Sequence, residues 1–208
     1  MAIRGRPRSF NRDHALQRIM QVFWEKGYEA AQLNDLTAAV GITPPSFYAA
    51  FGSKEAAFRE AVDLYVATAG SGALRALEEG ATARASIRAM LVASIDTALS
   101  APQSGGCLLV LSVVNCQIET EPLRDLLKHI RKDTERHILA RLQRGVAEGD
   151  LPGSSNVQVL ANYYATIMQG LSMQARDGAT REELEALLAP SMTALPHQTH
   201  EHKLKREP

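Results

Sequence analysis

Aromatic residues make up only 5% of this 208-residue chain, and runs of valine, isoleucine and threonine are scarce. That composition argues against a sheet-based core, and the apolar spacing is helical almost throughout, so the expected fold class is all-α. Cysteine is nearly absent, with Cys107 and Cys116 alone. If both lie on one helix they are separated by roughly 13 Å of rise, too far for a disulfide. Two thiols without a disulfide framework suit a reducing, cytoplasmic setting. No apolar run reaches signal or membrane-spanning length, so no membrane partner is expected. Net charge is zero, which argues against coating of nucleic acid by global charge but leaves a local footprint open. The asymmetry is at the start of the chain. Arg4, Arg6, Arg8 and Arg12 fall in the first twelve residues with no acid among them, whereas residues 61–208 carry 15 basic and 17 acidic side chains.

Catalytic signatures are missing as well. There is no nucleophile–base pairing, no metal-ligand spacing and no glycine-rich phosphate loop. The paired Glu-x-x-His motifs of a di-iron bundle are also absent. The chain therefore reads as a non-enzyme with no metal and no cofactor. His197, His200 and His202 belong to a polar tail and read as solvated.

The chain does carry a succession of caps, breakers and apolar stripes. Residues 1–10 form a basic arm, expected to be flexible. Asn11 caps a first helix with Ala15, Leu16, Ile19, Met20, Phe23 and Trp24 on one face, which Gly27 ends as a C′ glycine. Gln32 or Asn34 caps a short second helix that Gly41 stops. Thr43 caps a third, with Pro44 at its first position, where a missing N–H costs nothing. Ser53 caps a fourth, directed toward Glu79, with a kink or early end expected at Gly70 and Gly72. Thr82 to Leu99 follows, then a loop, then a short apolar helix from Cys107 to Cys116. A long helix runs from Glu121 to about Glu148, and another begins at Ser155 or Asn156. Thr180 and Glu183 form a capping box at the head of the last helix, which Pro190 kinks or shortens. The expected divisions are an arm at 1–10, a helix-turn-helix unit at 11–56, a second helical unit at 57–195 and a disordered tail at 196–208.

Gly27-Tyr28, the run Leu36-Thr37-Ala38-Ala39-Val40-Gly41-Ile42, Ser46-Phe47-Tyr48, Phe51 and Ser53-Lys54-Glu55 together resemble the N-terminal domain of the TetR/AcrR family of bacterial transcriptional repressors. The resemblance covers about residues 10–60. It implies about nine helices, three of them forming a DNA-binding domain, and a C-terminal domain that binds a small ligand and dimerises through its last two helices. The expected partners are a double-stranded DNA operator, a second copy of the chain and an unknown small-molecule effector.

The resemblance makes Thr43–Ala50 the recognition helix. Physically, a short helix offers its N-terminal residues to base edges and its dipole end to phosphate. Thr43, Ser46 and the Tyr48 hydroxyl suit base edges or phosphates. Gln32 is a candidate phosphate ligand, and Lys54 matches the family's backbone-contacting lysine. Arg4 and Arg6 are placed to reach the minor groove or the flanking backbone. The departure from the family pattern is Pro44-Pro45 where Lys and Gly are common, and Ala49 where His is frequent. Base readout should therefore be sparse, with Pro45 or Ala49 against thymine methyls and a steep salt dependence.

For dimerisation the candidates are Ala161, Tyr164, Met168, Leu184, Leu187, Leu188 and Met192. For a ligand pocket they are Tyr65, Met90, Cys107, Asn115, Gln117, His137 and Tyr164. Cys107 follows two glycines at a helix start, where the dipole lowers a thiol pKa, so release of DNA by thiol modification stands beside release by a ligand. The alternative to a repressor is a dimeric adaptor with weak or lost DNA binding.

Overall fold

The computed structural model describes residues 11–101, 105–113 and 120–196, and every regular element among them is helical. The elements are α1 (Arg12–Ala30), α2 (Leu33–Val40), α3 (Pro44–Phe51), α4 (Lys54–Ala67), α5 (Gly72–Glu79), α6 (Ala83–Leu99), α7 (Leu108–Leu111), α8 (Glu121–Ala147), α9 (Val157–Arg176), α10 (Arg181–Ala186) and α11 (Leu188–Met192). The arm at 1–10 with Arg4 and Arg6, the segment holding Asn115, Cys116 and Gln117, and the tail from 197 with its histidines lie outside the described residues.

Helix starts follow local chemistry. The side-chain oxygens of Asn11, Ser53, Thr82, Asn156 and Thr180 accept backbone N–H groups of the first turns they cap. Each such cap is worth about 1 kcal/mol. Gln32 caps α2, and its own N–H donates to the Asp35 carboxylate at 2.8 Å. Two breaks differ in detail from the expectation. α1 does not end at Gly27: the helix breaks there, at φ +74° and ψ 173°, and resumes for one more turn to Ala30. The last helix splits at Leu187, because Pro190 has no N–H to give the Ala186 carbonyl and the turn tightens before it. The expected early end of α4 falls at Ala67, followed by a single 3-10 turn over Ala69–Ser71.

Two hydrophobic clusters organise these helices. The first is built on α1 to α4 and is rich in aromatics. Phe23 meets Phe58 edge-on at 5.0 Å, Tyr28 meets Phe58 at 5.0 Å, and Phe47 packs on Phe51 at 5.3 Å. Such pairs add about 0.5–1.5 kcal/mol each beyond the area they bury. This cluster takes in Leu108, Val113, Leu123 and Leu127 from later in the chain. The second is mainly aliphatic, with Tyr164 among its members, and lies among α5, α6, α8, α9, α10 and α11. Among the described residues no helix is long and apolar enough to cross a membrane.

Candidate nucleic-acid interface and interior cavity

The third helix rests on two rings. Phe47 is fully buried and Phe51 nearly so, which fixes the helix on the first cluster and turns Pro44, Pro45, Ser46, Tyr48 and Ala49 outward. Tyr48 is 50% exposed, the largest apolar surface on this face. Gln32 and Thr43 are exposed beside it. Six of the expected DNA-contacting residues thus share one face with Gln32 at its margin.

The helix N-terminus does not behave as expected. An anion site there needs free N–H groups. Positions one and two of α3 are Pro44 and Pro45, which have none, and the Ser46 N–H goes to the Thr43 hydroxyl at 3.4 Å. The two hydroxyls also bond each other at 3.0 Å. This end of α3 therefore offers shape and methylene surface rather than a phosphate cradle.

The described cations near this face are already engaged. Arg12 donates to both carboxylate oxygens of Glu60 at 2.7 Å and lies over the Phe51 ring. Lys26 pairs with Asp35 at 2.7 Å. Lys54 lies over the Tyr28 ring at 4.4 Å, and its ammonium donates to the Glu29 carbonyl at 3.5 Å. Partial burial pushes its pKa down, against the pull of Glu29 and Asp35. Its reach toward a phosphate would mean leaving the ring.

Behind this unit lies a cavity of ≈ 110 Å³ between α4, α5, α6, α7, α8 and α9. Tyr65 and Cys107 line it, as expected. Three expected pocket residues do not. Met90 is buried in the aliphatic cluster. Tyr164 is fully buried with its hydroxyl donating to the Ser191 carbonyl at 3.0 Å. His137 faces outward from α8, its ring bonded to the Asp133 carbonyl at 2.8 Å. Met168, expected at a dimer seam, lines the cavity instead. Arg131 and Ser172, which the sequence reading passed over, also line it. The signal for Arg131 was available, because it lies four residues beyond Leu127 and three before Thr134, on the inward stripe of α8.

Cys107 corrects a second expectation. Its sulfur receives the Tyr65 hydroxyl at 3.2 Å and its N–H donates to Ser172 at 2.7 Å. Burial raises its pKa more than the Tyr65 bond, the N–H groups of α7 and Arg131 lower it. A four-residue helix has little dipole to offer, and the half-buried residue lines the cavity. It is a neutral thiol. Burial and the neighbouring thiol likewise hold the Tyr65 phenol protonated.

The strap from Gly105 to Ser112 ties cavity to DNA unit. The Trp24 indole N–H donates to the Gly106 carbonyl at 2.8 Å, and the Tyr28 N–H donates to the Ser112 carbonyl at 2.9 Å. Trp24 also meets Tyr65 edge-on at 4.8 Å, so one cavity wall touches α1 directly. Two glycines make the fit possible. Gly106 has φ +90°, and a Cβ there would lie 2.3 Å from Leu111 Cδ1. Gly27 breaks α1 where Ser112 arrives, and a Cβ would lie 3.1 Å from the Ser112 carbonyl oxygen. Gly27→Ala should cost about 1–3 kcal/mol from the glycine-only backbone alone. A thermal melt with an unchanged midpoint would show that the joint is not strained.

The candidate dimer residues divide. Ala161, Tyr164 and Leu184 are buried within their own chain, and Leu188 and Met192 nearly so, because α9 to α11 pack on α6. They have little surface left for a partner. Leu187 is 43% exposed. The open face of α9 runs through Val159, Tyr163, Thr166, Gly170 and Met173, a stripe at helical spacing.

Comparison with known proteins adds to this geometry. The family description "Bacterial regulatory proteins, tetR family" matches residues 15–61, and "Tetracyclin repressor-like, C-terminal domain" matches residues 81–189. The chain is 31% identical to the HTH-type transcriptional repressor ComR of Escherichia coli (strain K12) over 196 residues, 93% of this chain and 92% of that one. It is 28% identical to the repressor BdcR of the same organism over 191 residues, 92% of each. Among solved structures, a cysteine mutant of the regulator CifR, complexed with 26bp double-strand operator DNA, has a TM-score of 0.87 and 42% identity. That match covers 92% of this chain and 100% of CifR's.

Proposed function

We propose a mode of operator binding and release for this chain, which belongs to the tetR family of bacterial regulatory proteins. It is a DNA-binding transcriptional repressor rather than an enzyme, and it acts as a homodimer on double-stranded operator DNA. It works in the cytoplasm, where that DNA is. Two copies place their α3 helices one DNA turn apart, roughly 34–36 Å or a multiple. The observation that carries the reading is the outward face of α3, clamped from behind by Phe47 and Phe51.

Base contact on this face is apolar and sparse. Pro45 and Ala49 meet thymine methyls, and Tyr48 gives its hydroxyl to a phosphate. The charge for phosphate binding comes from the arginine arm. Partners meet through the Val159–Met173 stripe of α9 and Leu187, where Gly170 has open space before it. A small molecule entering the cavity displaces the Cys107 wall, and the strap passes that shift to α1 through Trp24 and Tyr28. The dimer then favours a wrong separation of its α3 helices. Thiol modification is the weaker route, because Cys107 stays protonated.

Fluorescence anisotropy on the DNA upstream of the chain's own gene tests this. Tyr48→Phe should weaken binding by about 0.5–1.5 kcal/mol and leave the salt slope unchanged, since no charge is lost. Removing residues 1–10 should flatten the slope by about 0.9 for each phosphate the arm neutralises. No binding at low salt, to this DNA or to other genomic fragments, would leave the dimeric adaptor.

A further inference from the structure

Arg131 is the unusual group in the cavity wall. Four hydroxyls in the wall have given their protons away. The hydroxyls of Ser94, Thr97 and Thr134 donate to the carbonyls of Met90, Ala93 and Ile130 at 2.7, 2.9 and 3.2 Å. Tyr65 donates to Cys107. Arg131 brings five N–H donors, and one of them goes to the Leu109 carbonyl at 2.5 Å.

Among the described residues no carboxylate holds its charge. The acids near it on α8 are committed elsewhere, Glu135 to Lys132 at 2.7 Å and Asp133 to Arg136. Burial lowers its pKa, and the one group that opposes this is Cys107, whose own thiol stays protonated. A half-buried guanidinium without an anion is costly, and arginine is seldom buried unpaired. The rest of the wall is apolar, with Val66, Leu74, Val110, Ile130 and Met168.

We infer that the cavity takes a small, mainly apolar molecule ending in a carboxylate, held by the Arg131 guanidinium. The inference rests on the cavity being the effector site. A carboxylate matches the planar fork of arginine with two parallel bonds and cancels its single charge. A phosphate dianion would leave excess charge in an apolar site. The volume, ≈ 110 Å³, is several times the roughly 10–15 Å³ that one water needs, which suits a short-chain or single-ring acid.

The test uses the full-length dimer without DNA and follows its thermal midpoint at pH 7 with hexanoate, benzoate, hexanamide and 1-hexanol. Expected is a concentration-dependent rise with at least one acid, and an apparent affinity for the neutral analogues at least tenfold weaker. In Arg131→Gln the shift with the acid should fall to that of the amide. Arg131→Lys, which keeps the charge without the fork, should fall between. Equal shifts with acid and amide in the parent protein overturn the assignment without any variant, as does the lack of a shift with either acid at millimolar concentration. Operator release is read in parallel. Release by the neutral analogues alone leaves the cavity as effector site and removes Arg131 as anchor. A midpoint shift by the acid without release keeps the anchor and removes the effector reading.

Discussion

Phe47→Ala abolishes operator binding and leaves the C-terminal dimer assembled. Phe47 is fully buried, its ring lying 5.3 Å from Phe51 and 5.8 Å from Tyr48. Truncating such a ring costs about 3–5 kcal/mol. The loss falls on a helix of eight residues that has little else to hold it. α3 is too short to persist alone, so its outward face loses its orientation together with its anchor. If docking of α3 is tied to DNA binding, the same free energy weakens operator affinity by more than about 100-fold. The second cluster, among α5, α6 and α8 to α11, does not include Phe47. Anisotropy should therefore show no binding while size-exclusion shows an intact dimer. Operator affinity within a few-fold of the parent would refute the claim that these two rings seat the reading helix.

The second large effect lies in the other core. Arg141 is 4% exposed, on α8 between Ile138 and Leu142. Its Nε donates to the Ser86 hydroxyl at 2.8 Å and one Nη donates to the Gly80 carbonyl at 3.3 Å. Asp150 lies 3.7 Å away, and its carboxylate also accepts the Ala83 N–H at 2.9 Å. One guanidinium thus ties α8 to the corner between α5 and α6. Arg141→Ala removes the bonds and the volume together and takes the guanidinium from Asp150, while the Ser86 hydroxyl keeps its own bond to the Gly80 carbonyl at 3.2 Å. The expected loss is about 3–5 kcal/mol. Arg141→Met keeps an apolar stem of similar length, and should cost measurably less. Urea midpoints at constant slope separate the two variants. Equal midpoints for alanine, methionine and the parent protein would mean that the cluster contributes no net stability.

How much of this was legible in the residues varied with the range of the interaction. Caps and breakers act within four positions. Asn11, Ser53 and the Thr180–Glu183 box therefore announced their helices directly. The inward stripe with Phe47 and Phe51 was equally plain, because helical spacing decides which side chains share a face. The pocket was read less well. Met90 and Tyr164 carry the right chemistry, but the packing of α6 and α9 buries them away from the cavity. The proline pair at 44 and 45 was read as a change in base contact. Its larger effect, the loss of every free N–H at the start of α3, follows once Thr43 is seen to take the Ser46 N–H.

By itself the sequence determined the helical class, the order of the elements and the face that α3 turns outward, since these depend on neighbours three or four residues apart. The tertiary structure alone decided which residues meet across the chain. It brought Trp24 to Gly106 over 82 positions, set Cys107 beside Tyr65 and put Arg131 in the cavity wall, where no described carboxylate meets it. The physical reason is burial. A thiol, a phenol and a guanidinium take their character from the groups that surround them, and those groups come from helices that no local pattern pairs.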